Sequence, residues 1–251
     1  MILRRLTQHV RDQNWTAVAI DFVIVVVGVF VGIQAQAWSA ERGDRRLERV
    51  YLERLLADVD LSIETTAANQ GRLREYSAGQ VLVVASLQAC ALAEADRDAF
   101  ADGIADLGKV GPSVFVLNTM DEMLSAGHFS LLQNPDVRDV LNGLARDRAY
   151  QQNVFEAVVG QLAPLTGVAW QRAVRLYPDA RTPFGPVGWD ELALDFDALC
   201  ADTAFQGAVS QVRYLTDAGA SLNDRALGKL RGARAALQAE LAGRPLPPAA
   251  P

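Results

Sequence analysis

The sequence predicts an all-α protein in which one N-terminal transmembrane helix continues into a helical bundle outside the membrane. Residues 17–38 are apolar apart from Asp21, Gln34 and Gln36, and such a run can cross a hydrocarbon core of about 30 Å at about 1.5 Å per residue. The first proline is Pro112, so nothing before it prevents long helices. Further along, apolar residues recur at every third or fourth position, without a strand-like alternation of useful length.

Composition argues against a disordered chain and against a nucleic-acid partner. The 251 residues are 50% hydrophobic, which is ample for a buried core. The net charge is -6, and the basic residues, almost all of them arginine, are interleaved with Asp and Glu. Binding to DNA or RNA relies on a clustered basic surface that releases counterions from the phosphates, and this sequence contains no such cluster.

The N-terminal region is divided into a basic segment, residues 1–15, and the transmembrane helix, residues 16–38. Trp15 and Trp38 bracket the apolar run, as aromatic residues do at membrane interfaces. A cleavable signal peptide is the alternative, because the sequence AQA at 35–37 resembles a cleavage site. The tryptophan directly after it and the charged helix that continues without a break favour an uncleaved anchor.

One face of the transmembrane helix is predicted to pack against a second helix. Asp21, Val25, Gly28, Gly32 and Ala35 are spaced four and three residues apart and share that face. Small residues there would let a second copy, or another membrane protein, approach closely, and Asp21 would be oligomer-facing or set the depth of the helix in the lipid. We assign anchoring and packing to Trp15, Asp21, Gly28, Gly32, Gln34 and Trp38.

The flanks of the transmembrane helix predict its orientation. Three arginines precede it and five follow it by residue 54, so a plain count of basic residues places the C-terminal side in the cytoplasm. The later arginines are interleaved with acidic residues on a helix, whereas the first three form the basic start of an export signal. We therefore expect a single-pass protein of the bacterial inner membrane with its bulk in the periplasm.

The helical bundle domain is predicted to cover residues 39–242, and its first helix leads directly out of the membrane. The buried face of that helix is expected to contain Leu47, Val50, Tyr51, Leu55, Val59 and Ile63. Gly71 and Gly79 are expected to interrupt the next stretch. The apolar run from Val81 to Ala93 predicts a buried helix, since it is too short for a second membrane crossing.

Helix start and stop signals follow at residues 118–162. Asn118 or Thr119 is expected to cap a short helix, and Gly127 to end it. Asn134 followed by Pro135 is a preferred start for the next helix. The buried face of that helix is predicted to consist of Val137, Val140, Leu141, Leu144, Val154, Val158 and Leu162.

A loop, a helical stretch and a tail are predicted for the remainder. Residues 177–191 hold three of the ten prolines and are typical of a loop. The spacing from 203 to about 241 predicts one long helix or two consecutive helices, with a buried face of Phe205, Val209, Val212, Leu215, Leu222, Leu227, Leu230 and Leu237. Residues 243–251 are expected to form a disordered, proline-rich tail.

Two stretches of the chain resemble a family of bacterial membrane-anchored proteins, the domain of unknown function 6090. They are AIDFVIVVVGVFVGIQAQAWSAERGDRRLERVYLERLLADV and LNTMDEMLSAGHFSLLQNPDVRDVLNGL. The matching residues are Gln34, Trp38, Glu41, Arg42, Glu48, Tyr51, Leu52, Leu55, Asp58, Thr119, Glu122, Leu124, Ser125, Gly127, Leu132, Asn134, Arg138 and Leu141. Members usually have Glu where this chain has Asp21, and tend to have asparagines where it has alanines. The resemblance implies the architecture described above, and because the family has no established activity it implies no function.

No motif for catalysis, a metal or a cofactor is found in the sequence. His9 and His128, the two histidines, have no second histidine or cysteine beside them that could complete a metal or nucleophile site. The stretch DVDLSIETTAAN, from Asp58, places oxygens at alternate positions like a calcium loop, but Ile63 stands where that loop needs a glycine. We therefore interpret this stretch as helical and expect no cofactor.

The two cysteines, Cys90 and Cys200, leave two interpretations open. They match no zinc motif, so they are either inert buried thiols or the two halves of one disulfide. A disulfide would fit an oxidising compartment such as the periplasm.

The leading hypothesis is a non-enzymatic membrane protein that acts through protein contacts, as an oligomer or as an accessory or scaffold subunit. The alternative is a membrane-anchored sensor or hydrolase with its site near residues 119–138. The candidate interaction or ligand residues in that region are Thr119, Glu122, Ser125, Gly127, Asn134 and Arg138. Convergent polar groups around a pocket would favour the alternative, and a bundle filled by Leu and Val would favour the contact protein.

Overall fold

The structure, a computed structural model, describes residues 15–173, 189–192 and 194–243, and no strand occurs among them. The α-helices in this part of the chain are α1 (Trp15–Ala89), α2 (Arg97–Ala105), α3 (Asn118–Ser125), α4 (Pro135–Ala173), α5 (Trp189–Leu192), α6 (Phe196–Ala201) and α7 (Thr203–Leu241). Short 3₁₀ turns, Glu94–Asp96 and His128–Leu131, precede α2 and α4. The predicted all-α class is confirmed.

Three predicted segments lie mostly outside the described residues. The basic segment 1–15 and the tail 243–251 each have a single residue within them, and the loop 177–191 has its last three. Those last three residues begin α5, so a helix stands where the end of a loop was predicted.

The chain divides into two compact units, residues 1–51 and 52–251, and α1 contributes to both. In the first unit the large apolar side chains of α1 from Ile20 to Ile33 are 49–68% exposed around the whole helix. This part of α1 is long and apolar enough to cross a membrane.

The prediction that Leu47 and Val50 belong to the buried face of α1 is wrong. Their side chains are 37% and 48% exposed. At about 100° per residue they lie about 80° and 140° around the helix from Leu55, which is completely buried together with Val59. Residues spaced by three and four positions shift gradually around a helix over several turns. The buried face of α1 is therefore the one that contains Leu55 and Val59, and Leu47 and Val50 lie outside it.

Helix α1 passes through Gly71 and Gly79, so the predicted interruption is wrong. Gly79 serves packing instead, because it lies against Gly103 of α2. A Cβ added to Gly103 would lie 2.7 Å from the carbonyl oxygen of Gly79, which only glycine avoids. Helix α1 ends at Ala89, before the predicted end at Ala93.

The core of the second unit is apolar and draws on α1, α2, α4, α5, α6 and α7. Helix α7 is a single helix, as one of the two predictions had it. The buried members of its predicted face are Phe205, Val209, Val212, Leu215, Leu227, Leu230 and Leu237, and Leu222 is half-buried. In α4 the buried members are Val137, Leu141, Leu144 and Leu162, while the remaining three valines are half-buried.

Candidate functional site

Polar side chains of α1 hold the backbone of residues 109–117, which we call the linking segment because it joins α2 to α3 without regular secondary structure. The side chains lie three or four residues apart on one buried face of α1: Ser62, Thr66 and Asn69. In that order they bond to the Val116 amide (2.8 Å), the Val114 amide (2.9 Å) and the Pro112 carbonyl (2.8 Å). These bonds satisfy backbone groups that otherwise need a strand partner or water.

Helix α7 holds the same segment from a second direction. The side-chain amide of Asn223 donates to the carbonyl of Gly111 (3.3 Å), and its oxygen accepts from the hydroxyl of Ser113 (2.5 Å). Asn223 is 1% exposed. The linking segment is therefore fixed to both α1 and α7 by side chains rather than by a sheet.

The start of α3 depends on α1, which corrects the predicted cap. Asn118 and Thr119 lie inside the helix, and the residue before it, Leu117, makes no side-chain cap bond. The amide of Thr119 donates to the carboxylate of Asp58 at 2.8 Å. The capping oxygen thus comes from a residue far away in sequence, in the stretch whose alternating oxygens resembled a calcium loop.

Two arginine–carboxylate pairs link α3 to its neighbours. Arg148 of α4 donates to both oxygens of Asp121, at 2.8 and 2.9 Å. Arg54 of α1 binds both oxygens of Glu122. In each case the hydrogen bonds from the guanidinium are the largest cause of a lowered carboxyl pKa, and the pKa of Arg148 is raised by the same contact.

Three of the other candidate residues of this region, Ser125, Gly127 and Asn134, have structural roles. Ser125 donates to the carbonyl of Glu122 within α3 (2.9 Å), and Gly127 ends the helix in the left-handed conformation with φ 74°, as predicted. Asn134 caps α4 through the amide of Asp136 (2.9 Å) and donates to Glu240 of α7 (2.6 Å). Arg138 is half-buried on the first turns of α4.

Apolar side chains fill the interior beneath these polar contacts. The buried apolar residues between positions 117 and 141 are Leu117, Met120, Met123, Leu132, Val137 and Leu141. Asp121, Glu122 and Asn134 therefore pair with α4, α1 and α7 around an apolar centre.

Cys90 and Cys200 are joined in a disulfide, with their Cα atoms 5.6 Å apart. The bond ties the residue that follows α1 to α6, the short helix before α7. Beside it lies an open groove of about 240 Å³, bounded by Val84, Leu87, Gln88, Thr203, Gln206, Gly207 and Ser210. This groove lies away from residues 119–138, where a ligand site was considered.

The anchor residues occupy the first part of α1. Gly28, Gly32, Gln34 and Trp38 are exposed, and a Cβ added to either glycine would meet nothing within 4 Å. Trp15 and Asp21 lie in the helix, and their side chains lie outside what the structure describes. The guanidinium of Arg42 stacks 3.5 Å from the centre of the Trp38 ring.

Sequence reasoning missed the residues that hold the linking segment. The available signal was the run of oxygen-bearing side chains from Asp58 to Asn69, which recur at helical spacing on a face that is otherwise apolar. Among the described residues no group of three or more His, Cys, Asp or Glu is placed to hold a metal ion.

Known protein families, curated proteins and solved structures give no match to this chain.

Proposed function

We propose that this protein is a single-pass protein of the bacterial inner membrane that acts through protein contacts, as an accessory or scaffold subunit without catalysis of its own. The observation that carries the proposal is the exposure of α1 from Ile20 to Ile33. Its large apolar side chains are 49–68% exposed around the whole helix, and water disfavours such a surface strongly while lipid does not.

The polar architecture of the second unit supports a role in contacts over a role in chemistry. The conspicuous polar residues of 119–138 are engaged in caps and ion pairs, namely Asp121 with Arg148, Glu122 with Arg54 and Asn134 with Glu240. Groups used in this way hold helices at fixed separations. The sensor or hydrolase alternative needs such groups turned toward a ligand, whereas these are turned toward neighbouring helices.

The disulfide supports a periplasmic location for the second unit. Disulfides persist in oxidising compartments and are rare in the cytoplasm. With the basic N-terminal segment on the cytoplasmic side, one membrane crossing places Cys90 and Cys200 in the periplasm.

Membrane extraction and reporter fusions test this proposal together. The full chain is expected to remain with membranes at alkaline pH and to dissolve only in detergent, whereas a matched variant lacking residues 16–38 is expected to be released. A C-terminal alkaline phosphatase fusion is expected to be active, and a C-terminal green fluorescent protein fusion dark. Release of the full chain without detergent, a mature N-terminus after residue 37, or the reverse pattern of reporters would contradict the proposal.

A further inference from the structure

We infer that the first unit of this protein is the contact surface of a parallel assembly of copies of the same chain, formed along a heptad stripe that runs from Phe22 to Val50. The inference rests on the proposed membrane anchoring, and it names the partner, the face and the relative direction of the helices.

The stripe is an unbroken alternation of steps of four and three residues on the exposed surface of α1. The residues of this stripe, which we call the heptad stripe, are Phe22, Val26, Val29, Ile33, Gln36, Ala40, Gly43, Leu47 and Val50. All of them are exposed in the structure. A strict seven-residue repeat keeps one face toward a partner when helices wind around each other with a left-handed twist.

Charges on either side of the stripe are separated by sign. At about 100° per residue, Arg46, Arg42 and Arg49 lie about 80°, 120° and 140° from its midline on one side. Asp44, Glu48 and Glu41 lie at the same angles on the other side. The sequence is interleaved in charge, but the helix is not, since it carries one basic flank and one acidic flank.

This separation of charge determines in which relative direction two copies of the helix fit together. When two helices pack in parallel about a rotation axis, the basic flank of one lies beside the acidic flank of the next, so the charges attract. In an antiparallel pair each flank meets its own kind, and like charges repel. Copies inserted in one membrane with one orientation are parallel, which agrees with the arrangement the charges favour.

The same charges distinguish the heptad stripe from the small-residue face predicted within the membrane. That face, from Asp21 through Gly28 to Ala35, continues by the same spacing into Ser39, Arg42, Arg46 and Arg49. Two copies meeting on it in heptad register would bring arginines together outside the lipid. The heptad stripe continues instead into uncharged residues, Ala40, Gly43, Leu47 and Val50.

Two contacts within α1 reach from the flanks toward the side of the helix opposite the stripe, and they need no partner chain. Arg42 covers the ring of Trp38 (3.5 Å), and Arg45 pairs with Glu41 (2.6 Å). Trp38 and Arg45 lie about 160° and 180° from the midline of the stripe. They face the lipid headgroups when the stripe faces another copy.

A charge-swap experiment on the full chain in membranes tests the inference. Two co-expressed, differently tagged copies are solubilised in mild detergent, and capture of one with the other is measured. Reversing the basic flank (Arg42→Glu, Arg46→Glu and Arg49→Glu) or the acidic flank (Asp44→Arg and Glu48→Arg) is expected to lower capture by about tenfold or more. Co-expressing one reversed chain with the other is expected to restore capture, while Arg45→Glu is the matched control off both flanks.

Three results with the reversed chains would overturn the inference. One is undiminished capture between two copies of either reversed chain. Another is failure of the two reversed chains, when they are co-expressed, to restore capture. The third is loss with the arginine reversal alone, which would mean that the arginines bind lipid phosphates. A wild-type chain that stays in membranes as a monomer overturns this inference only, whereas a wild-type chain found in the soluble fraction overturns the proposed anchoring.

A cysteine scan gives an independent measurement of the contacting face. Cys90 and Cys200 are bonded to each other, so a cysteine introduced at each position from 42 to 48 is the single free thiol of the chain. Oxidative crosslinking between copies is expected to peak at 43 and 47 and to be lowest at 45. A peak at 42 and 46 would assign the contact to the small-residue face and overturn the assignment to the heptad stripe.

Discussion

Gln70 is a polar residue in the interior whose side chain contributes no hydrogen bond. It is 3% exposed, and neither its amide nitrogen nor its amide oxygen has a partner in the structure. Burial of an unpaired amide costs about 1–3 kcal/mol. We expect Gln70→Leu to raise the free energy of unfolding by about 1–2 kcal/mol, measured by denaturant titration of the full chain in detergent.

The adjacent residue provides the control for that prediction. Asn69 is also buried but donates to the carbonyl of Pro112 (2.8 Å), so Asn69→Leu is expected to destabilise the protein. Lower stability in both variants would mean that the Gln70 amide makes an interaction that the hydrogen-bond geometry does not reveal.

The carboxyl groups of Asp121 and Glu122 are expected to make stability depend on pH. Their pKa values are lowered in the folded protein, first by hydrogen bonds from Arg148 and Arg54. A lowered folded pKa contributes stability that is complete above the unfolded value and is lost as the pH falls toward the folded value. We therefore expect the free energy of unfolding to decrease as the pH falls below the ordinary pKa values of carboxyl groups. In the double variant Asp121→Asn and Glu122→Gln, the free energy of unfolding is expected to depend less steeply on pH.

The effect of these pairs is modest, because their side chains are about half exposed and screened by solvent. Unfolding curves collected between neutral and acidic pH would show the change in slope. A double variant with the same acid slope as the wild type would contradict the prediction.

At the scale of elements, the linking segment is expected to depend on α1 for its stability. The hydroxyl of Thr66 accepts from the amide of Val114 (2.9 Å) and donates to its carbonyl (3.1 Å). Thr66→Val keeps the volume but leaves both backbone groups unpaired, so we expect a loss of about 1–3 kcal/mol. Amide exchange at Val114, followed by mass spectrometry, is expected to accelerate.

Thr65→Val is the matched control, because the hydroxyl of Thr65 bonds only within its own helix, to Leu61 (2.9 Å). Its effect is expected to stay within about 0.5 kcal/mol. Equal losses in the two variants would show that the valine, rather than the broken bonds, is responsible.

The contact between α1 and α2 is expected to tolerate no side chain at Gly103. A methyl group there would lie 2.7 Å from the Gly79 carbonyl oxygen and 2.7 Å from a methyl carbon of Val83. We expect Gly103→Ala to destabilise the protein by about 1–3 kcal/mol. Gly228→Ala, in an open position of α7, is expected to stabilise it by about 0.5–1 kcal/mol, and thermal unfolding of the two variants would compare them.

For the whole chain, the disulfide is expected to be a major source of stability. It closes a loop with a sequence separation of 110 residues, and the entropy of closing a loop of about 100 residues corresponds to about 4.7 kcal/mol. We expect the free energy of unfolding of the double variant Cys90→Ser and Cys200→Ser to be lower by several kcal/mol, about 4.7 at most. The measurement is denaturant unfolding without a reducing agent. Alkylation of both cysteines in the native protein would show that the bond is not formed in the cell.

Local sequence signals located the helices whose ends depend on their own residues. Asn134 and Pro135 predicted the start of α4, and the apolar spacing from 203 to 241 predicted α7. The prediction failed where a residue's role depends on a distant partner. Gly79 was taken for a break because no neighbour in sequence indicates that Gly103 packs against it, and Asn118 or Thr119 was taken for a cap that Asp58 supplies.

The candidate site was predicted less completely than the fold, because the roles of its residues depend on partners that are distant in sequence. Glu122 and Asn134 were selected from the sequence as candidate interaction or ligand residues, but the sequence does not contain the identity of their partners in the fold, Arg54 and Glu240. Whether a polar residue turns to a ligand or to another helix depends on which elements meet in space.

The sequence by itself determined that the chain is helical, where an apolar run could cross a membrane, and where charges separate around α1, because these properties follow from composition and from the fixed period of a helix. Only the tertiary structure decided which faces are buried, how the linking segment is held, and that Cys90 and Cys200 meet. Those outcomes depend on contacts between residues roughly 20 to 110 positions apart, and the free energy of such contacts is set by distance and burial in the folded chain.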